Sequence, residues 1–225
     1  MPSFVTLMLY IYYVVMLSSL GVGIWRSHYL QNRLQVVYYL VWVRVIGEII
    51  TVALAAFYIQ NHFVINLQSL VEFCLISLVY YHLFPNQWIR RGIIAFTALV
   101  VLDSLIRFIQ IEQFLRFNNY THTFTSFVVI GMVLLYFYQL VHQPQPSSLL
   151  KFPMFWVSAG ILLYYAGNFF YFLYGEQILF SLDVSKIQLL FIYRVASAIY
   201  HLFLLIAFVF SKQYVQQQAV KRLSV

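Results

Sequence analysis

Three arginines and three carboxylates, Arg44, Glu48, Glu72, Asp103, Arg107 and Arg194, sit inside stretches that are otherwise apolar. A charge at the centre of a bilayer costs about 2.5–3.5 kcal/mol on insertion scales, so such residues usually face a bundle interior and mark a site or a pair. Arg44 and Glu48 are spaced i, i+4, as are Asp103 and Arg107, so each couple fits an ion pair within its own helix. Three chemistries are open to this set. It can be a neutral network that only fixes helix packing, a site for a small ligand, or a pathway for protons or ions.

The neighbouring polar residues follow helical spacing. Arg44, Glu48, Thr51 and Ala55 share one stripe, and Gly47, Thr51 and Ala55 form a small-residue row suited to close helix contact. Gln68 joins Glu72, and Gln110 joins Asp103 and Arg107. Asn118, His122 and Thr125 make a third stripe, Tyr164, Asn168 and Tyr171 a fourth, and Arg194, Ser197 and His201 a fifth. His201 is read as donating to a carbonyl of the bundle, with proton transfer as the alternative. Asn119-Tyr120-Thr121 fits a glycosylation pattern, but it abuts the membrane surface and is discounted.

The elements that must position these residues are membrane spans. Of 225 residues, 63% are hydrophobic and 8% charged, against about 25% charged in a soluble domain. The expected fold class is all-α: a polytopic membrane protein built as a seven-transmembrane-helix bundle. The expected spans are about 4–25, 34–58, 65–84, 92–112, 120–141, 153–174 and 187–210. Residues 1–211 form the transmembrane domain and 212–225 a short cytoplasmic tail, either a brief amphipathic helix or a solvated end. At this length no separate soluble domain is expected. The first span has no basic leader and no cleavage site, so it reads as a helix and not a signal peptide.

Eight basic residues (Arg26, Arg33, Arg90, Arg91, Lys151, Lys212, Lys221 and Arg222) fall on one side of these spans, and Arg116 and Lys186 on the other. The positive-inside rule then places the N-terminus outside and the C-terminus in the cytoplasm. The net charge of +7 is therefore topological, and no nucleic-acid partner is expected. Trp25, Trp88 and Trp156 suit an inner aromatic belt, while Tyr38-Tyr39, Tyr80-Tyr81 and Tyr164-Tyr165 suit the belt or the interior. Gln143–Ser148 reads as a cytoplasmic linker.

At 1.5 Å rise per residue, Glu72 and Arg194 lie roughly 10 Å below the outer ends of their spans, Asn168 about 9 Å and Arg107 about 8 Å. Glu48 and His201 fall near the midplane, with Arg44 deeper. If their stripes face inward, these groups meet in one polar cavity in the outer half.

Much chemistry is absent. No lysine lies in span 7 for a retinal Schiff base, and no H-E-x-x-H or paired acidic motif of an intramembrane hydrolase is present. The single Cys74 excludes intramolecular disulfides and reads as a buried small hydrophobe. No metal, cofactor or catalytic residue is assigned.

Glu72-Phe73, Phe117-Asn118-Asn119-Tyr120, and the run from Pro153-Met154-Phe155-Trp156-Val157-Ser158-Ala159-Gly160 to Gly167-Asn168 resemble the uncharacterised small seven-helix membrane proteins of bacteria. Those are similar to the seven-helix sensor segments of histidine kinases. The resemblance covers nearly the whole chain. It implies a bundle in a bacterial inner membrane, without an assigned activity. No kinase module follows span 7, so a signal is expected to pass to a separate cytoplasmic protein.

The leading expectation is a receptor or sensor-like protein in the bilayer. It would bind a small-molecule ligand through Glu72, Asp103, Arg107, His122, Asn168 and Arg194. Arg44, Glu48 and His201 would complete the polar network. A secondary transporter or channel for a small polar or anionic solute is the alternative, and an intramembrane lipid-modifying enzyme the third.

Overall fold

In an apolar solvent a helix satisfies its own backbone donors and acceptors, and long apolar runs here fold accordingly. The computed structural model describes the backbone of residues 2–110, 118–142, 149–180 and 184–223, and the side chains of 6–110, 118–142, 149–174, 188 and 190–216. Its long helices are α1 (Pro2–Trp25), α2 (Arg33–Ala56), α3 (His62–Leu83), α4 (Gln87–Ile109), α5 (Asn119–His142), α6 (Pro153–Phe180) and α7 (Val184–Leu223). Each of the seven is long and apolar enough to cross a membrane. Asn86 caps α4, its side chain accepting from Trp88 N at 2.8 Å, and Pro153 occupies the first turn of α6, where its missing N–H costs little.

Several expected boundaries differ: α4 begins at Gln87 and not at 92, and α6 runs to Phe180 and not to 174. Helix α3 begins at His62, three residues before the expected start at 65, which sets Glu72 deeper. Helix α7 does not stop near 210 but continues through Leu223, because no proline or glycine interrupts Val184–Leu223. Tyr214 in this extension packs edge-on against Phe152 at 5.0 Å between ring centroids. The linker Gln143–Ser148 and Arg116 lie outside the described residues, as do the side chains of Lys186, Lys221 and Arg222.

Helices α1, α2, α3, α5, α6 and α7 close a ring: α6 packs most extensively on α7, α7 returns to α1, and α3 crosses to α5. Helix α4 packs on α3 and α5 from outside, and only its Ile93 and Val100 are buried. Glycines set the tightest approach. A Cβ on Gly160 would stand 2.9 Å from Phe203 Cβ, and one on Gly167 3.3 Å from Ala196 Cβ, so α6 and α7 meet along small residues.

The ring has two unlike halves. Towards the starts of α2 and α6 it is filled: Leu40, Val41, Ile76, Tyr80, Val157, Ile161, Leu204 and Phe208 are all buried. Arg33 donates to the His82 carbonyl at this end, and the Lys212 ammonium lies over the Tyr29 ring at 5.9 Å. Arg26, Arg90, Arg91 and Lys151 lie at or beside helix ends on the same side, making a basic end. Trp25 and Trp88 are highly exposed there, while Trp156 is partly buried, its indole N–H donating to the Leu150 carbonyl at 2.7 Å. Towards the α2–α3 turn at Asn61 the ring is hollow.

Candidate functional site

The hollow half holds a cavity of about 290 Å³. It runs from Arg44 and Glu72 at its floor, past Glu48, Gln68 and Arg194, to Thr51, Ala55 and Asn61 near the α2–α3 turn. Its remaining wall comes from α5 and α6 through His122, Thr125, Tyr164, Tyr165, Tyr171 and Phe172, and from α7 through Leu190 and Tyr193.

Four of the six charges set within the apolar helices meet here, but not in the arrangement the spacing suggests. Arg44 does not pair with Glu48. Its Nη2 stands 3.0 Å from Glu72 Oε2 across the α2–α3 contact, and its Nη1 donates to Tyr164 Oη at 2.9 Å. Glu48 instead accepts from Arg194 Nη1 at 2.8 Å. Helix side chains lean towards their own N-terminus, so an arginine at position i leans away from an acid at i+4. In α4 the order is reversed, and Arg107 does reach back to Asp103, Nε to Oδ2 at 3.0 Å. Longer reach also matters. Glu72 is about 15 Å along α3 from His62 and Arg44 about 18 Å from the end of α2, at 1.5 Å per residue, so the two stand at one level.

The partners of this cluster are largely satisfied. Gln68 Nε2 donates to Glu72 Oε1 at 2.7 Å. The Gln68 side chain lies directly over Gly47, where a Cβ would fall 1.9 Å from its Oε1. Gly47 therefore makes room for a polar side chain, while Thr51 and Ala55 of the same small-residue row line the cavity. Tyr13 and Tyr12 of α1 donate to Glu48, at 3.3 and 3.5 Å. The guanidinium of Arg194 lies 5.0 Å from the Tyr12 ring centroid, and that of Arg44 4.5 Å from the Tyr164 ring. Each arginine thus combines an ion pair with an aromatic face, a geometry that suits its weakly hydrated plane. The Nε of Arg44 is buried with no hydrogen-bond partner.

His122 is buried between Ser69, whose Oγ is 3.0 Å from Nδ1, and Asn66, whose Oδ1 is 3.2 Å from Nε2. Its ring stacks on Phe172 at 5.4 Å. Together with Ser69 and Thr125 it lines both the cavity and a much smaller chamber of about 30 Å³ bounded by Arg107 and Asn118.

Of the residues expected to bind ligand, Glu72, His122 and Arg194 line the cavity, and so do Arg44 and Glu48 of the expected network. Asp103 and Arg107 do not. They form a partly exposed pair on peripheral α4, where Thr121 Oγ1 donates to Asp103 Oδ2 at 2.6 Å. Asn168 is fully buried and also lies off the cavity, its amide N and O without hydrogen-bond partners. His201 is buried at the α1–α7 contact, with Nδ1 3.1 Å from Ser19 Oγ, a hydroxyl in place of the expected carbonyl. Sequence reasoning missed Tyr12, Tyr13, Asn61 and Tyr193. Tyr12 and Tyr13 sit on a helix with no acidic or basic residue and so carry no signal of a target, Tyr193 falls off the i, i+3, i+4 stripe of Arg194, and Asn61 reads as a turn residue. Among the described residues no group of His, Cys, Asp and Glu could hold a metal ion.

The chain was compared with protein-family models, with curated proteins and with solved structures, and none matches it.

Proposed function

We propose that this chain is a multi-pass membrane receptor or sensor whose cavity takes a small ligand from outside the cell. The observation that carries this reading is the cavity itself. It is near the lower end of small-molecule pockets, roughly 300–1,000 Å³, and two ion pairs stand in its walls. A network serving only to fix packing has no need of adjoining space. The basic end marks the cytoplasmic side by the positive-inside rule, so the hollow half faces out in the plasma (inner) membrane.

A dead-end site favours sensing over transport. Below Arg44 and Glu72 the bundle is filled by Leu40, Val41, Ile76 and Tyr80. In this reading ligand binding shifts the helices against one another, and the basic loops hand the change to a separate cytoplasmic protein, as the resemblance to sensor segments implies.

The test is a thermal-unfolding screen of the full chain in lipid nanodiscs against a broad panel of small polar solutes, run beside Ala55→Trp. Ala55 is an exposed residue lining the cavity, so tryptophan there fills space without disturbing the charges. A solute that raises the unfolding temperature of the wild type and not of Ala55→Trp is the expected result. Directional uptake of a solute into proteoliposomes would instead establish the transporter.

A further inference from the structure

Resting on that reading, we infer that the ligand is a small zwitterion with an apolar side group, of the α-amino acid type, which enters by opening the Glu48–Arg194 pair. The two ion pairs of the cavity differ in access. In Arg44–Glu72 the side chains are 7% and 5% exposed, whereas in Arg194–Glu48 they are 26% and 13% exposed. The second pair is the one a solute meets.

Any ligand that takes Arg194 from Glu48 must replace what it removes. A simple anion would pair with Arg194 and strand Glu48 in a poorly solvated site, and a simple amine would strand Arg194. Breaking a buried pair one-sidedly is strongly unfavourable. A molecule carrying both charges restores both partners, its carboxylate on Arg194 and its ammonium on Glu48. Tyr12 and Tyr13 already hold the Glu48 carboxylate by their hydroxyls, so the acid stays in place when its arginine turns to the ligand.

The rest of the molecule is constrained too. The four cavity charges cancel in pairs, so a third ligand charge would find no free counter-charge among the described cavity residues. Ile65, Phe172, Leu190 and Val52 supply apolar wall, which suits an aliphatic or aromatic side group. The space of about 290 Å³ limits the ligand to a single small metabolite-sized unit.

The experiment is calorimetric titration of the full chain in nanodiscs with L-leucine and L-phenylalanine, and with two leucine relatives that each lack one charge, 4-methylpentanoate and 3-methylbutylamine. L-glutamate and L-lysine complete the set. At least one of the two apolar zwitterions should bind ten or more times tighter than its singly charged relatives and than glutamate and lysine. Glu48→Gln and Arg194→Gln should each reduce that binding at least tenfold, and Ala55→Trp, which leaves the pair intact, should abolish it. Equal or tighter binding by 4-methylpentanoate, unaffected by Glu48→Gln, would overturn the zwitterion while leaving a ligand-binding cavity standing. Absence of binding by every zwitterion would also overturn it. The broader solute screen then decides separately whether the cavity binds anything.

Discussion

At the scale of single residues, burial separates charges that look alike in sequence. Arg44–Glu72 is almost fully enclosed and Asp103–Arg107 is not, with side chains 41% and 26% exposed. Removing one partner of a buried pair costs about 3–5 kcal/mol, while an exposed pair contributes about 0–1 kcal/mol. Glu72→Gln should therefore lower the unfolding temperature in detergent far more than Asp103→Asn. Exchanging the partners, Arg44→Glu with Glu72→Arg, should recover part of the loss. Equal effects of the two single substitutions would mean that the enclosure of Arg44 is not what holds α2 to α3. The identities of these residues were legible from their cost in an apolar chain. Their pairing was not, because i, i+4 spacing suggests contact without the direction in which each side chain leans.

At the scale of helices, glycines report where the packing is tight. A Cβ on Gly160 would meet the Phe203 Cβ at 2.9 Å and the Tyr200 carbonyl at 3.3 Å, neither of which can move without the helix. Gly160→Ala should cost about 1–3 kcal/mol through overpacking. A Cβ on Gly131 meets nothing within 4 Å, so Gly131→Ala should stabilise by roughly 0.5–1 kcal/mol through helix propensity. Thermal unfolding of the two variants should move in opposite directions. Gly47→Ala is a third case, since the Gln68 side chain can swing aside. Its effect should fall on the cavity, through loss of the Gln68–Glu72 hydrogen bond, more than on the fold. The existence of seven spans was readable from apolar run length alone. The ring order and the peripheral place of α4 were not, because helices apolar enough to span a membrane are apolar on their exposed faces as well as their buried ones. Phe96, Leu99, Leu102 and Leu105 of α4 are apolar and exposed.

At the scale of the whole molecule, the basic end is expected on the cytoplasmic side and the hollow half outside. In a Cys74→Ala background, cysteine at Tyr58, which is 99% exposed at the α2–α3 turn, should react with an impermeant maleimide on intact cells. Cysteine at Trp88, exposed at the basic end, should react only after the membrane is opened. The reverse pattern would invert the bundle and turn the cavity towards the cytoplasm. Charge bias among the loops gives the expected sidedness, which this labelling tests. The depth of the polar cluster was placed less well, since Glu72 lies further in than a start at 65 implied, and Asp103 and Arg107 stand apart on α4.

The central claim is that the outer half is hollow, wet and able to hold a solute, while the inner half is filled. Thr51 lines the cavity and Val41 is fully buried below it. The most direct measurement is the rate at which an impermeant, water-soluble thiol reagent modifies Thr51→Cys and Val41→Cys in the Cys74→Ala chain, with and without a stabilising solute. The account predicts fast modification at position 51, slowed by that solute, and none at position 41. An unreactive Thr51→Cys, or equal rates at the two positions, would contradict it.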